Sequence, residues 1–340
     1  MTKICREIID HPSAWTSKGL GGKEALVKQL SPAQLAAVDE LLAKTRHLRP
    51  QAVTREQFDH PALNPFLKDL FETIQNGVGV AIVRGITRDK YSEEDFERIY
   101  WGFGTHLGVA VTQSALGDRL GHVRFEPVGP NNPAGRAYRS NRELDLHTDT
   151  NEIVGLMSVQ KAKAGGLSRL VSSLAIHNEI QKNHPEMLDI LYEGFYYATT
   201  EAQLTSEPIT KFKVPLYCYV DGKVSCTYTN TFIHRAADML GGMPADLRAA
   251  MDYITELSLR PDLMLEFTIE PGEMAIWNNF TILHARTAFE DFDEPALKRH
   301  LLRLWVDVPE GRPVVPVYLR NSQLYVFDPV KHKQELAPAQ

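Results

Sequence analysis

His147, Thr148 and Asp149 stand in the order His-x-Asp, and a second histidine, His284, follows far along the chain. On an extended strand residues i and i+2 point to one face. His147 and Asp149 should therefore project together, with Thr148 turned away. Two imidazoles and one carboxylate on one face of a metal are the ligand set of non-haem Fe(II) oxygenases, whose remaining positions stay open for O2 and a cosubstrate. Arg299 and Arg303 come 15 and 19 residues after His284. An arginine there can clamp a cosubstrate carboxylate through paired, charge-assisted hydrogen bonds. Arg303 lies inside the run Leu301-Leu302-Arg303-Leu304-Trp305. A buried arginine demands an anion, either the cosubstrate or a structural Asp or Glu.

The elements that must position these residues are legible in part. Ser31-Pro32-Ala33-Gln34 reads as a capping box with proline at the first helical position. Leu35, Val38, Leu41 and Leu42 then repeat at helical spacing. Ser92-Glu93-Glu94-Asp95 opens a second helix. Residues 78–83 read as a buried strand between the two. From about residue 145 the pattern shifts to strands, at 153–159, 167–172, 195–198, 216–220, 224–228, 263–269, 274–277 and 301–308. Helical insertions fall at roughly 173–192 and 244–257. Asp221-Gly222 is a strong two-residue hairpin signal, which would pair Val220 with Lys223 and Cys218 with Ser225. Many short strands between Gly/Pro turns predict a mainly β fold with α elements, a jelly roll with helices packed outside it. The expected organisation is a single domain over 1–340: a helical region at about 1–75, the jelly-roll core at about 75–308, and an extension at 309–340 anchored by Tyr318, Leu324, Tyr325 and Phe327.

Composition narrows the class. The chain has 340 residues, 43% hydrophobic and 24% charged, which suits a globular protein with a sizeable core. Its net charge of −6 provides no basic footprint for nucleic acid. Residues 1–15 lack the apolar core of a signal peptide, and the longest apolar runs are too short to cross a membrane. These features predict a cytoplasmic protein. Cys5, Cys218 and Cys226 are odd in number, and the last two fall on opposite faces of the predicted hairpin. Free thiols are therefore expected.

Taken together, His147-x-Asp149, Gly165-Gly166-Leu167-Ser168, Trp277-Asn278-Asn279, His284-Ala285-Arg286 and Arg299-x-x-x-Arg303 resemble the taurine dioxygenase and clavaminate synthase-like superfamily. These are Fe(II)- and 2-oxoglutarate-dependent oxygenases on a double-stranded β-helix. The resemblance spans about residues 75–308. It implies that His147, Asp149 and His284 bind Fe(II), with 2-oxoglutarate and O2 as cosubstrates. It implies that Arg303 pairs with the distal carboxylate of 2-oxoglutarate, that Ser168 helps hold that carboxylate, and that Arg299 lies near the iron-bound end. Ser168 departs from the commoner threonine but keeps a hydroxyl donor. Asp149 is absent in halogenating members, so its presence implies hydroxylation, with desaturation and ring formation open to the same triad.

Three segments are candidates for covering the site and binding a small-molecule substrate: 113–124, beginning with Gln113; 131–143, with Arg136, Arg139, Arg142 and Glu143; and 228–234, beginning with Tyr228. The arginines suit an anionic substrate and Glu143 an amine, which together suit an amino-acid-like metabolite. Two other readings stay open at this point. The same three ligands could hold zinc with a water in a hydrolase, although that gives Arg303 no role. A non-catalytic jelly-roll binding protein is the third reading, and it would be expected to have lost a ligand.

Overall fold

The computed structural model describes residues 3–113, 117–127, 139–199 and 207–318. In chain order the N-terminal part holds α1 (Ser17–Leu20), β1 (Val27–Gln29), α2 (Pro32–Thr45), α3 (Asn64–Gln75), β2 (Val80–Arg84), α4 (Glu93–Leu107), β3 (Val109–Ala110) and β4 (Leu120–Val123). The middle holds β5 (Leu144–His147), β6 (Ile153–Gln160), β7 (Ala164–Gly165), β8 (Ser168–Ser172), α5 (Ser173–Asn183), α6 (Met187–Glu193), β9 (Tyr217–Val220) and β10 (Lys223–Cys226). The last part holds α7 (Asn230–Met239), α8 (Ala245–Ser258), β11 (Met264–Phe267), β12 (Met274–Asn278), β13 (Ile282–Arg286), β14 (Phe289–Glu290) and β15 (His300–Asp307).

Two sheets face each other. The larger runs β1-β2-β12-β6-β15-β3, with β4 also paired to β15; the smaller runs β11-β8-β13-β5. Neighbours are antiparallel except β1 and β2. Side-chain alternation on these strands divides the interior into layers. Ala81, Val83, Met274, Ile276, Leu302, Leu304 and Val306 face out of the larger sheet onto α2, α3 and α4. Val80, Ile82, Ala275, Trp277 and Trp305 face inward and meet Leu170, Leu265, Phe267 and Ile282 of the smaller sheet. Val171 and Leu283 face out of the smaller sheet onto α5, α6, α7 and α8. This is the double-stranded β-helix flanked by helices that the sequence predicts.

Local signals behave as their chemistry dictates. Ser31 and Ser92 form reciprocal capping boxes with Gln34 and Asp95. The hairpin pairs Val220 with Lys223 and Cys218 with Ser225, and Asp221 and Gly222 take the positive φ values of 48° and 78° that a type I′ turn needs. All three cysteines are buried and free. Other expectations are corrected. Residues 195–198 make only isolated bridges, Phe195 to Val214 and Ala198 to Ile209, so they do not form a strand. Segment 228–234 is not a loop throughout, because α7 begins at Asn230. The helical N-terminal region also contains β1, which extends the larger sheet beside β2. Tyr318 is buried, with its hydroxyl donating to Pro215 O; Leu324, Tyr325 and Phe327 lie outside the described residues.

The turn between β11 and β12 is tight. Glu273 N–H donates to Glu270 O, and Gly272 has φ 90°, the geometry of a Pro-Gly type II turn. A Cβ on Gly272 would lie 1.9 Å from Ile86 O. Gly272→Ala should therefore destabilise the fold by about 2 kcal/mol or more. The urea unfolding midpoint should fall; an unchanged midpoint would contradict this packing.

Candidate metal centre and its surroundings

The smaller sheet brings the two histidines together. β13 pairs with β5 so that His284 lies opposite His147. Both face the sandwich interior, with ring centroids 4.3 Å apart. β5 ends at His147, so Asp149 reaches the site from the segment after the strand rather than from the strand itself. That segment is held on both sides. Thr148 N–H donates to Tyr228 O, and Thr148 Oγ1 accepts from Tyr228 N–H. Asn279, fully buried beyond β12, accepts from Asp149 N–H at 3.0 Å and donates to Asp149 O and Asn151 O at 2.7 Å.

Three ligand atoms converge here. His147 Nε2 lies 3.9 Å from Asp149 Oδ1, and His284 Nε2 lies 3.5 Å from Asp149 Oδ2. The ligand atoms all lie within 4.8 Å of one another. His147 Nδ1 hydrogen-bonds Asp145 O at 2.7 Å. As the protonated nitrogen it donates, leaving the Nε2 lone pair toward the site. Burial, then the neighbouring His284, pushes His147 down to about 4, so the ring is neutral. Burial alone would raise the Asp149 carboxyl. Contact with His284 and the charge of Arg303 outweigh it and hold the group well below the usual range. Two imidazole nitrogens and an ionised carboxylate are the donor set a divalent iron takes. Trp305 Nε1–H donates to Asp149 Oδ2 at 2.9 Å, and the Trp277 ring packs 4.9 Å from His284. Asn279 and Trp305 were not singled out as site residues by sequence reasoning. Asn279 lay within a quoted motif; Trp305 had no local signal.

The two arginines part company. Arg299, just before β15, continues by alternation the inward face on which β15 carries Leu301, Arg303 and Trp305, but the two arginines serve different places. Arg303 Nε donates to Gln113 Oε1 at 2.7 Å, and its guanidinium lies 4.5 Å from the Trp305 ring, beside the Asp149 carboxylate. Gln113 Nε2 donates in turn to Arg119 O and Arg303 O. Gln113 thus fixes the Arg303 head. Arg299 is 4% exposed and lines a cavity of about 170 Å³ with Gly165, Gly166, Ser168 and Leu301. Its Nη1 and the Nε of Arg286 have no hydrogen-bond partner. The two guanidiniums pack near the Phe289 ring at 5.0 and 4.8 Å. Burial, then the Arg286 charge, pushes Arg299 down to about 9, and burial pushes Arg286 to about 10. Gly166, at φ 68°, keeps the chain close: a Cβ there would sit 3.3 Å from Arg299 Nε.

The remaining candidates lie elsewhere. Glu143 pairs with Arg169 at 2.5 Å. Arg142 is exposed, and its carbonyl accepts from Arg286. The Tyr228 ring packs in the outer helical layer, its hydroxyl without a partner. Arg136 lies outside the described residues.

The sequence matches the Taurine catabolism dioxygenase TauD, TfdA family over residues 44–305. The chain belongs to this family. As a TauD/TfdA member it is a 2-oxoglutarate-dependent dioxygenase that uses Fe(II). The zinc-hydrolase and non-catalytic readings are thereby set aside. It is 28% identical to FR-33289 synthase of Streptomyces rubellomurinus, over 80% of this chain and 83% of that one. It is 30% identical to the taurine hydroxylase-like protein SAT17 of Stachybotrys chartarum, over 86% and 77%. Among solved structures, the non-haem iron oxygenase OrfP in complex with Fe and alpha-ketoglutaric acid superposes with a TM-score of 0.62 at 16% identity, covering 83% of this chain and 94% of that one. Asparagine oxygenase with Fe(II), 3-hydroxyasparagine and succinate gives 0.64 at 15%, covering 83% and 93%. No helix among the described residues is long and apolar enough to cross a membrane.

Asn279→Ala would leave buried backbone groups around Asp149 unpaired. It should lower Fe(II) affinity roughly 10- to 100-fold, as loss of ligand-supporting contacts does. An anaerobic metal titration on folded variant would read this, and wild-type affinity would remove Asn279 from the metal centre's support.

Proposed function

We propose that this dioxygenase hydroxylates an unactivated C–H bond of a small, polar, amino-acid-like metabolite, coupled to conversion of 2-oxoglutarate and O2 to succinate and CO2. His147, Asp149 and His284 hold the iron. Bound there, the metal supplies O2 activation linked to oxidative decarboxylation of the keto acid. The observation that carries the cosubstrate's placement is the cavity beside Arg299, whose buried guanidinium lacks a partner for Nη1. Arg299 and Ser168 receive the distal carboxylate of 2-oxoglutarate, with Arg286 adding positive potential. This assigns to Arg299 the role the resemblance implied for Arg303.

Arg303 then serves the substrate. It sits over Trp305, beside Asp149, with Gln113 fixing its head. A guanidinium so placed orients a carboxylate, sulfonate or phosphoryl group next to the metal. The relatives support a polar, charged substrate. OrfP structures contain (3S)-hydroxy-L-Arg, the asparagine oxygenase structure contains 3-hydroxyasparagine, and a 27% identical relative from Amycolatopsis is a uridine-5'-phosphate dioxygenase. The ionised Asp149 fills the position that halogenating members leave open, which favours hydroxylation. Arg142, Glu143 and Tyr228 are given no direct substrate contact in this reading.

An anaerobic titration of apo-protein with Fe(II), then 2-oxoglutarate, tests the assignment. A visible charge-transfer band should appear, and His284→Ala should abolish it. No band with metal bound would overturn the centre. Arg299→Ala should raise the 2-oxoglutarate concentration needed for the band roughly 10- to 100-fold, the loss expected for charged hydrogen bonds. Arg303→Ala should leave that concentration nearly unchanged and instead impair succinate formation coupled to amino-acid and phosphoryl substrates. The reverse pattern would return the distal carboxylate to Arg303.

A further inference from the structure

On the opposite face of β15 from Arg299 and Arg303, four ligand-type side chains from rigid elements meet. Glu93 and Glu97 are one helical turn apart on α4, which places them on one face. His122 comes from β4 and His300 from the paired strand β15. Glu93 Oε1 lies 3.4 Å from His300 Nδ1, and Glu97 Oε1 lies 3.8 Å from His122 Nε2. His122 Nδ1 lies 2.9 Å from His300 Nε2, with the rings stacked at 5.2 Å. Ligand atoms of His122, His300 and Glu93 fall within 4.8 Å of one another.

The cluster already holds a cation. Arg124 Nη2 lies 2.9 Å from His300 Nδ1 and 2.5 Å from Glu93 Oε1. A guanidinium only donates, so His300 Nδ1 must carry a lone pair. His300 Nε2 then bears the proton and donates to His122 Nδ1, which must also carry a lone pair. Neutral His300 therefore turns one lone pair, together with Glu93, toward a point that holds positive charge, while neutral His122 and Glu97 flank it. His300 is 5% exposed, whereas the His122, Glu93 and Arg124 side chains are 42–49% exposed. The cluster is anchored inside and open outside.

We propose that Glu93, His122 and His300 form a second divalent-cation site of the zinc class, with Glu97 adding negative charge beside His122, independent of the iron ligands. Two nitrogens or oxygens on an ion with bonds of about 2.1 Å lie roughly 3.3 Å apart. With one ligand atom from each, Glu93, His122 and His300 lie within 4.8 Å of one another, so closing on an ion opens the His300–His122 hydrogen bond and swings the partly exposed Glu93 and His122 side chains inward. The ion replaces Arg124, which swings into solvent, and its two charges match the two carboxylates. It ties the N-terminal half of α4 to β4 and β15, and so braces the helical layer against the larger sheet.

The test uses full-length His147→Ala/His284→Ala protein, which removes the iron ligands, titrated with Zn2+ by calorimetry. One ion per chain should bind and raise the melting temperature, because binding only the folded state stabilises it. Adding Arg124→Ala should tighten binding about tenfold or more, because the ion no longer has to displace a charged hydrogen bond. Adding His122→Ala with Glu97→Gln, both partly exposed, should remove binding and the thermal shift together while the protein stays folded by circular dichroism. Absence of zinc binding both with Arg124 and in Arg124→Ala would overturn the proposal. So would zinc binding that survives the His122→Ala/Glu97→Gln change.

Discussion

The antiparallel pairing of β13 with β5 is the constraint on which the site depends. It sets His284 opposite His147 inside the sandwich. A one-residue slip would turn either ring to the other face. Hydrogen bonds alone would not resist that slip. The register is held because Ile282 must pack between the sheets while Leu283 must pack under the outer helices. Burying such side chains contributes about 1.5–3 kcal/mol each, so a slipped register would forfeit several of them at once. The candidate metal ligands are thus aligned by the core and not by attraction to one another. Two imidazoles with ring centroids 4.3 Å apart would not otherwise remain there.

Asp149 shows why some of this was legible in sequence and some was not. The His-x-Asp spacing and the distal histidine identify the ligand types. They do not reveal that the strand ends at His147 and that the carboxylate is delivered by Asn279, 130 residues away. That clamp is a side chain satisfying another segment's backbone, and no period of 2 or 3.6 encodes it. The capping boxes and the Asp221-Gly222 hairpin were readable for the opposite reason. Their partners lie within a few residues, so local chemistry decides them. Segment 195–198 misled because its apolar residues do pack in a core; they do so beside helices, with only isolated bridges. Apolar alternation signals burial first and strand pairing only second.

β15 is the strand on which the molecule's charges are sorted. One face presents Arg299, Leu301, Arg303 and Trp305 to the cavity and the metal centre. The other presents His300, Leu302 and Leu304 to the helices. Alternation correctly puts both arginines on one face, yet it cannot say which end of a bound keto acid each would meet. The distinction comes from their neighbours. Arg303 is drawn to the Asp149 end by Gln113 and Trp305. Arg299 is drawn the other way by Gly166, which leaves room for its guanidinium, and by the ring of Phe289.

Two buried arginines near one phenylalanine ring, with a cavity alongside, are electrostatically incomplete. Each guanidinium loses hydration, each repels the other, and the aromatic ring compensates only part of this. Asp291 offsets only part of this: its Oδ1 accepts from the Arg299 backbone N–H and its charge favours the guanidinium, yet burial and Arg286 outweigh it. Burial lowers the proton affinity of both Arg299 and Arg286 for the same reason. An incoming carboxylate would relieve this imbalance, and in the proposed placement a dicarboxylate would do so with its other end toward the histidines. On the proposed placement the unmet charge is itself the recognition element: the cavity would select an anion because the fold has already borne the cost of holding the cations in place. At the metal end the order is reversed. Asp149 is ionised and already bonded to Trp305, so that end presents negative charge and lone pairs to a metal. Positive charge at Arg299 and a metal-binding centre at His147, Asp149 and His284 would, in the proposed placement, hold 2-oxoglutarate in a single direction, its keto acid toward the metal.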